Sequence, residues 1–192
     1  DRGLCNEVIG ISRRDSTLEI ALQQGVIDRA ESSLSALAHE LGRGDMVLIS
    51  VPTLTVSEVL EDCYRLLSNH VTITDAASVK GNVVDMAKAI YGQMPEQLVP
   101  GHPIAGSEKS GVNAAQADLY VDHRVILTPV AETGVQHLQR VTALWQGVGA
   151  SVTCMPVARH DEILAATSHL PHLLAYALVD SLARGGEHRE IF

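Results

Sequence analysis

Residues 101–111 (GHPIAGSEKSG) combine one histidine, two serines, one lysine and three glycines directly after an apolar run. Core packing does not require this mixture, whereas a site that holds a small anionic substrate beside a proton acceptor does. His102 lies between a glycine and a proline, and its ordinary pKa of about 6.5 suits it to accept a hydroxyl proton. The glycines permit close approach of a ligand to the backbone. We predict that His102 is a catalytic base in a turn at a strand end; the alternative is a surface turn.

A second polar segment, residues 74–81 (TDAASVKG), also follows an apolar run. Ser78 is predicted to present its hydroxyl to the catalytic imidazole or to the substrate, and Lys80 offers positive charge. The alternative is structural, because Asp75 or Ser78 can cap a helix that begins near Val79.

Two further histidines, His169 and His172, occur in the segment SHLPH at residues 168–172. Their spacing of three places them on one face of a helix, where we expect them to line a substrate pocket between two domains. The alternative is a pair of interface histidines without a chemical role. A metal site that also uses His160 is disfavoured because no cysteine or carboxylate has a familiar ligand spacing, so no metal is predicted.

The segment Ser12-Arg13-Arg14 follows a predicted strand. In a dinucleotide-binding βαβ unit, the loop after the second strand faces the adenine ribose, and arginine there suits the 2′-phosphate of NADP. We therefore expect NADP as the cofactor, with NAD as the alternative; solvated loop arginines are the structural interpretation. Ser50, Val51 and Pro52 end another apolar strand and are also predicted to contact the cofactor, although proline can simply terminate a strand.

Short apolar strands and helices alternate along the first 155 residues. Strands are predicted at 7–12, 46–51, 71–74, 124–127 and 152–154, and helices at 16–24, 34–41, 55–67, 79–91 and 135–146. This alternation predicts an α/β fold, a Rossmann-type and mostly parallel sheet. From Val157 the pattern is helical, and Pro171 should kink or split that helix.

The expected domain boundary lies near Pro156, giving a nucleotide-binding domain over 1–155 and the start of an all-helical domain over 156–192. A Rossmann domain has a strand and a Gly-rich turn before the helix that feeds its second strand. These features do not occur in this sequence. We therefore expect both domains to be truncated and the chain to be part of a longer protein.

The overall composition narrows the classes of partner. The net charge is −9 and no basic block occurs, so nucleic acid and anionic membranes are not expected as partners. The three cysteines are far apart, without a CxxC pair, which is typical of reduced thiols in a cytoplasmic protein. We expect Cys63 and Cys154 to be buried. The remaining histidines, expected in solvent, are His39, His70, His123, His137 and His188.

Taken together, the blocks at 74–80, 101–111 and 168–172 resemble the prephenate/arogenate dehydrogenase family of tyrosine biosynthesis. The resemblance implies an NAD(P)-binding Rossmann domain and a helical domain that forms a homodimer. It also implies oxidative decarboxylation of prephenate to 4-hydroxyphenylpyruvate, or of arogenate to tyrosine.

The same resemblance assigns roles to individual residues. His102 would be the catalytic histidine and Ser78 the serine that works with it. Ser107 and His172 would bind the substrate, with His169 beside them. Ser12 and Arg13 would occupy the position used for the 2′-phosphate. The family's substrate-binding arginine has no counterpart among these 192 residues.

Two other functions remain open. A β-hydroxyacid-type dehydrogenase shares this plan but uses a catalytic lysine on its helical domain, and no lysine follows Lys109. A non-catalytic ligand-sensing module is disfavoured by the joint occurrence of Ser78, His102 and His172.

Overall fold

The computed structural model describes residues 3–106 and 111–185, and it contains three small sheets flanked by helices. The strands are β1 (Ile9–Ile11), β2 (Arg29–Glu31), β3 (Met46–Ile49), β4 (Thr72–Asp75), β5 (Leu98–Val99), β6 (Gly101–Ile104), β7 (Arg124–Leu127) and β8 (Ser151–Cys154). The helices are α1 (Asp15–Gln23), α2 (Leu34–Leu37), α3 (Val56–Leu66), α4 (Lys80–Tyr91), α5 (Val135–Gly147), α6 (Val157–Leu164) and α7 (Leu170–Gly185).

The strand pairing confirms the predicted α/β fold with a mostly parallel sheet. The sheet orders are β1-β2, β3-β4-β5 and β6-β7-β8, and β6-β7 is the antiparallel pair among the described strands. Each predicted strand and helix of the first 155 residues is present, although α2 is shorter than expected. Strands β2, β5 and β6 were not predicted.

His102 lies within β6, opposite Ile126 of β7. The expectation that it occupies a turn was therefore wrong. Pro103 follows it in the same strand, opposite Val125. Glycine and proline are depleted in strands, and here the pairing with β7 overrides that local preference.

The sheets are held by two apolar clusters. Ile73, Leu98 and the α3 residue Leu60 are fully buried in the first cluster, and Val99, Leu127 and Trp145 are buried in the second. Full burial of one such aliphatic side chain contributes roughly 1.5–3 kcal/mol. Strands β4 and β5 are buried throughout their length, so the segments that leave their carboxyl ends start from rigid positions.

The helical region after Val157 is not split at Pro171. A π-helical turn over Ala165–His169 connects α6 to α7, and the residues at both junctions keep right-handed helical backbone angles. Proline cannot donate to the carbonyl four residues earlier and crowds it. The wider turn directly before Pro171 accommodates this defect, and such turns often occur at functional sites.

Two expectations about burial were wrong. His137 is fully buried, with its Nδ1 2.8 Å from Thr72 Oγ1, and Cys154 is exposed. Cys63 is buried as expected, and burial raises the pKa of its thiol to about 12. His39, His70 and His123 are exposed as expected, and His188 lies outside the described residues. No helix within the described ranges has the length and apolar character needed to cross a membrane.

Candidate active site

The candidate site is built around His102, whose side chain is 9% exposed. The preceding residue, Gly101, donates its N–H to Asp75 Oδ2 at 3.2 Å, which fixes the start of β6 at the carboxyl end of β4. A Cβ atom at Gly101 would lie 3.0 Å from the Asp75 carbonyl oxygen and 3.2 Å from Leu127. A side chain here would therefore crowd β4 and β7, and the absence of one lets β6 pack closely at the position before His102.

Beneath His102 lies a fully buried ion pair between Asp75 and Lys80. Lys80 Nζ also donates to the Gly101 carbonyl, and the other Asp75 contacts are the N–H groups of Ala77 and Gly101. Burial raises the pKa of Asp75 and lowers that of Lys80, and the attraction between the two groups opposes both shifts. The charge of Lys80 thus joins α4, β4 and β6 inside the protein rather than facing a ligand.

The His102 ring has a direct partner on α6. Its Nδ1 lies 2.9 Å from Nε2 of His160, and the two rings meet edge to face with centroids 5.1 Å apart. His160 is fully buried, and its Nδ1 lies 2.7 Å from Oδ1 of Asp161. Three side chains from two distant segments thus form a continuous hydrogen-bonded chain that ends at His102.

Asp161 also caps helix α4. Its Oδ1 accepts the N–H of Lys80 at 3.0 Å, and its Oδ2 accepts the N–H of Gly81 at 2.8 Å. The alternative in which Asp75 or Ser78 caps this helix was therefore wrong. Burial alone raises the pKa of Asp161. The hydrogen bonds from His160, Lys80 and Gly81 together lower it by a larger amount, so the net pKa is below the ordinary aspartate value. Asp161 is an ionised carboxylate near neutral pH.

The pKa of His102 is lowered to about 4. The main cause is burial, followed by electrostatic interactions with His160, Lys80 and His169, while Asp161 acts in the opposite direction. His102 is consequently neutral near pH 7. A neutral imidazole has one unprotonated ring nitrogen, which can accept a proton from a hydroxyl.

The loop after β1 offers positive groups at the first turn of α1. Arg13 and Arg14 are exposed there, and Ser12 Oγ accepts the N–H of Arg14 at 3.2 Å. Arg13 lies 3.8 Å from Glu58, with both side chains largely exposed, so this ion pair is weak. Free N–H groups at a helix start and two guanidinium groups fit a phosphate. These residues therefore suit a nucleotide phosphate.

Comparison with known proteins gives two family matches. Residues 1–170 match the family described as "Prephenate dehydrogenase, nucleotide-binding domain", and residues 156–192 match "Prephenate dehydrogenase, dimerization domain". The chain belongs to the prephenate dehydrogenase family.

Individual members of the prephenate dehydrogenase family support this assignment. The prephenate dehydrogenase of Bacillus subtilis is 36% identical over 174 residues, which cover 90% of this chain and 46% of the relative. The cyclohexadienyl dehydrogenase of Zymomonas mobilis is 39% identical over 136 residues, covering 70% of this chain and 45% of the relative. The chain thus spans about half the length of these relatives.

A solved structure is also similar. The Aquifex aeolicus prephenate dehydrogenase, in complex with hydroxyphenyl propionate and NAD+, is 36% identical with a TM-score of 0.86. That match covers 95% of this chain and 62% of the other.

The residues expected to act beside His102 are Ser78, Ser107, His169 and His172. His169 is exposed, at the end of the π turn, and close enough to lower the pKa of His102. His172 is exposed one turn later on α7. Ser78, which was expected to contact the His102 imidazole, is exposed in the link between β4 and α4. Nδ1 of His102 contacts His160 instead. Ser107 lies outside the described residues.

The remaining cofactor prediction concerns the loop after β3. Ser50 and Pro52 are exposed and Val51 is half-buried, and all three follow the carboxyl end of that strand. Because β3 and β4 are parallel, this loop leaves the same edge of the sheet as the residues after Asp75. No group of three histidine, cysteine or acidic residues in the described segments has the arrangement of a metal site.

Sequence reasoning missed His160 and Asp161 as members of the site, since it considered His160 only for a metal site. Little in the sequence indicated that these two residues belong to the site. His160 and Leu164 are buried four residues apart on α6, so the periodicity indicated only that His160 is on the inner face of a helix.

Proposed function

We propose that the protein is an NAD(P)-dependent dehydrogenase of tyrosine biosynthesis. It oxidatively decarboxylates prephenate to 4-hydroxyphenylpyruvate, or arogenate to tyrosine. Membership of the prephenate dehydrogenase family supports this reaction. The observation that carries the proposal is the buried, neutral imidazole of His102 at the carboxyl end of β4.

In the proposed reaction, His102 acts on the hydroxyl of the cyclohexadienyl ring. The carbon that bears this hydroxyl loses a hydride, and the bound dinucleotide supplies the acceptor for it. His102 takes the hydroxyl proton through Nε2, so that the C–O bond becomes a carbonyl. The ring carboxylate then leaves as carbon dioxide, and the electron pair of the broken bond passes through the ring to the carbonyl oxygen. That oxygen takes the proton back to give the phenol, and formation of the aromatic ring drives the reaction. General base assistance of this kind contributes roughly 10²–10⁴-fold to the rate.

The substrate would lie between the nucleotide-binding region and the start of the helical region. Ser78, Ser107, His169 and His172 are proposed to contact it. The exposed position of Ser78 on the link before α4 supports contact with a ligand. The electrostatic effect of His169 on the pKa of His102 supports its place beside the candidate base.

For the cofactor, we infer that NADP is preferred. Ser12, Arg13 and Arg14 would hold the 2′-phosphate, and Ser50, Val51 and Pro52 would line the same edge of the sheet. The exposed guanidinium groups at the start of α1 support this preference. The solved complex of the Aquifex aeolicus relative contains NAD+, so NAD is the alternative cofactor.

The proposed homodimer would form through the helical domain, which we place after residue 155. Helix α7 carries several large apolar side chains that are mostly exposed in this structure, among them Leu173, Leu174, Leu178, Val179 and Leu182. Apolar surface on this scale is typical of an interface. The match of residues 156–192 to a dimerization domain agrees with this placement.

The test is an assay of the complete gene product with prephenate and arogenate, each with NADP and NAD. We expect formation of reduced cofactor with at least one substrate, fastest with NADP. Saturable binding of prephenate and NADP without any cofactor reduction in the four combinations would instead indicate a ligand-sensing module.

A further inference from the structure

We propose that His160 and Asp161 are positioning residues that hold the His102 ring in one tautomer, with the proton on Nδ1 and the lone pair on Nε2. The inference rests on the proposed function, because it explains how His102 is kept ready as a base. The hydrogen bonds that carry it run from the Asp161 carboxylate through His160 to His102.

The direction of hydrogen-bond donation between these three side chains is set at Asp161. Its oxygens accept the backbone N–H groups of Lys80 and Gly81, which can only donate. A carboxylate with these contacts is ionised and accepts from every partner. The nitrogen 2.7 Å away, Nδ1 of His160, must therefore carry a proton.

The proton on His160 Nδ1 in turn determines the state of the His102 ring. Full burial disfavours a charged imidazole, so we take His160 as neutral. With its one proton on Nδ1, Nε2 of His160 has a free lone pair. Nδ1 of His102, 2.9 Å away, must donate to it. Nε2 of His102 is left unprotonated, and it is the nitrogen that can take the substrate proton. In the opposite tautomer Nε2 would carry a hydrogen and could not act as a base.

The arrangement also supports the charged form of His102 that follows proton transfer. Its Nδ1–H remains bonded to His160, and the negative charge of Asp161 opposes the loss of stability caused by burial. A charged third residue that orients a histidine and stabilises its cation is a general catalytic arrangement. Here a second histidine separates the carboxylate from the base.

A purely structural role for Asp161 makes a different prediction. If it only caps α4, its replacement would change stability and leave the His102 tautomer untouched. Asp161→Ala separates the two roles, because it removes the acceptor that keeps the proton on His160 Nδ1. His160 can then donate from Nε2, and the His102 ring is no longer held in one tautomer.

The decisive measurement is the ¹⁵N chemical shift of both His102 ring nitrogens in ¹⁵N-histidine-labelled gene product without substrate. We expect a protonated Nδ1 and an unprotonated Nε2 in the wild type, and protonation divided between the two nitrogens in Asp161→Ala. The matched control is Glu162→Ala, which removes a carboxylate from an exposed neighbour on α6 that pairs with Arg159; it should leave the His102 signals unchanged. An unchanged tautomer in Asp161→Ala would overturn the proposal.

A second pair of variants covers the case in which Asp161→Ala does not fold. In His160→Gln the amide oxygen can still accept from His102 Nδ1, whereas His160→Leu offers no acceptor. We expect kcat to fall at least about tenfold in His160→Leu, with recovery in His160→Gln and little change in the KM for the cofactor. Equal kcat in both variants and the wild type would contradict the positioning role.

These outcomes separate the two proposals. If the wild-type protein turns over substrate but the His102 tautomer does not depend on Asp161, the proposed function is supported and the positioning role is contradicted. A tautomer that depends on Asp161 in a protein without any turnover supports the positioning role and contradicts the proposed function.

Discussion

His102 and His160 are 58 positions apart in sequence, yet His102 Nδ1 lies 2.9 Å from His160 Nε2. This contact joins β6 of the sheet region to the first helix of the helical region. Because the same helix also caps α4 through Asp161, the geometry of the candidate base depends on how the helical region packs against the sheet.

The buried ion pair beneath the site gives a stability prediction. Lys80→Met leaves the Asp75 carboxylate buried without its cation, which typically costs about 3–5 kcal/mol. Chemical denaturation should therefore show a large loss in the free energy of unfolding. Lys88→Met, an exposed lysine on the same helix, is the matched control and should be nearly neutral. A small loss in Lys80→Met would show that the pair is not required.

The close packing at Gly101 gives a second prediction. Gly101→Ala places a Cβ atom against the Asp75 carbonyl and Leu127, and overpacking of this kind typically costs about 1–3 kcal/mol. We expect a lower melting temperature and reduced kcat, because β6 must shift together with His102. Gly42→Ala, whose Cβ would have no neighbour within 4 Å, should change neither quantity. Normal stability and activity in Gly101→Ala would contradict this role of the glycine.

The low pKa of His102 predicts how stability depends on pH. Its pKa is about 4 in the folded protein against an ordinary value of 6.5. Between these values the unfolded chain takes up the proton and the folded protein does not, so the His102 contribution to the free energy of unfolding is complete above pH 6.5 and is lost as the pH falls toward 4. Unfolding measured across this range should depend less on pH in His102→Gln than in the wild type.

Activity should follow the same ionisation. Because the base must be neutral, the acidic limb of kcat/KM should lie below the ordinary histidine pKa of 6.5. An acidic limb at or above that value, assigned to His102 by its disappearance in His102→Gln, would show that burial does not lower the pKa of this imidazole.

The arginines after β1 give a prediction about the cofactor. Hydrogen bonds to a charged group contribute about 1.5–3 kcal/mol, so replacing both Arg13 and Arg14 with alanine should weaken NADP binding by about 10- to 100-fold and leave NAD binding nearly unchanged. The measurement is KM for each cofactor in the complete gene product. Arg43→Ala, at an exposed arginine in another loop, serves as the control. An unchanged NADP to NAD ratio in the double variant would refute the assignment.

The sequence predicted His102 because a histidine among glycines and a proline has little use in a core. It did not predict β6, since glycine and proline disfavour strands and only the pairing with β7 stabilises it. Lys80 was expected to offer charge to a ligand because lysine is almost never fully buried unless paired. Its partner Asp75 was interpreted as a helix cap, so the pair was not anticipated.

Long-range contacts explain the remaining differences between the predicted and the observed structure. Asp161 caps a helix that begins 81 positions earlier in the chain, and no local pattern encodes such a contact. The π turn before Pro171 could likewise not be predicted, because a proline indicates a defect in a helix but not the form of that defect. The sequence therefore predicted the chemical role of His102, whereas the residues that orient its side chain could be identified only from the fold.

The central claim is that His102 removes the hydroxyl proton of a cyclohexadienyl substrate. The most direct test compares wild type, His102→Asn and His39→Asn, an exposed histidine, in steady-state turnover of prephenate and arogenate by the complete gene product. We predict that kcat in His102→Asn falls by roughly 10²–10⁴-fold with cofactor affinity unchanged, and that His39→Asn behaves as wild type. Wild-type turnover by His102→Asn would contradict the claim.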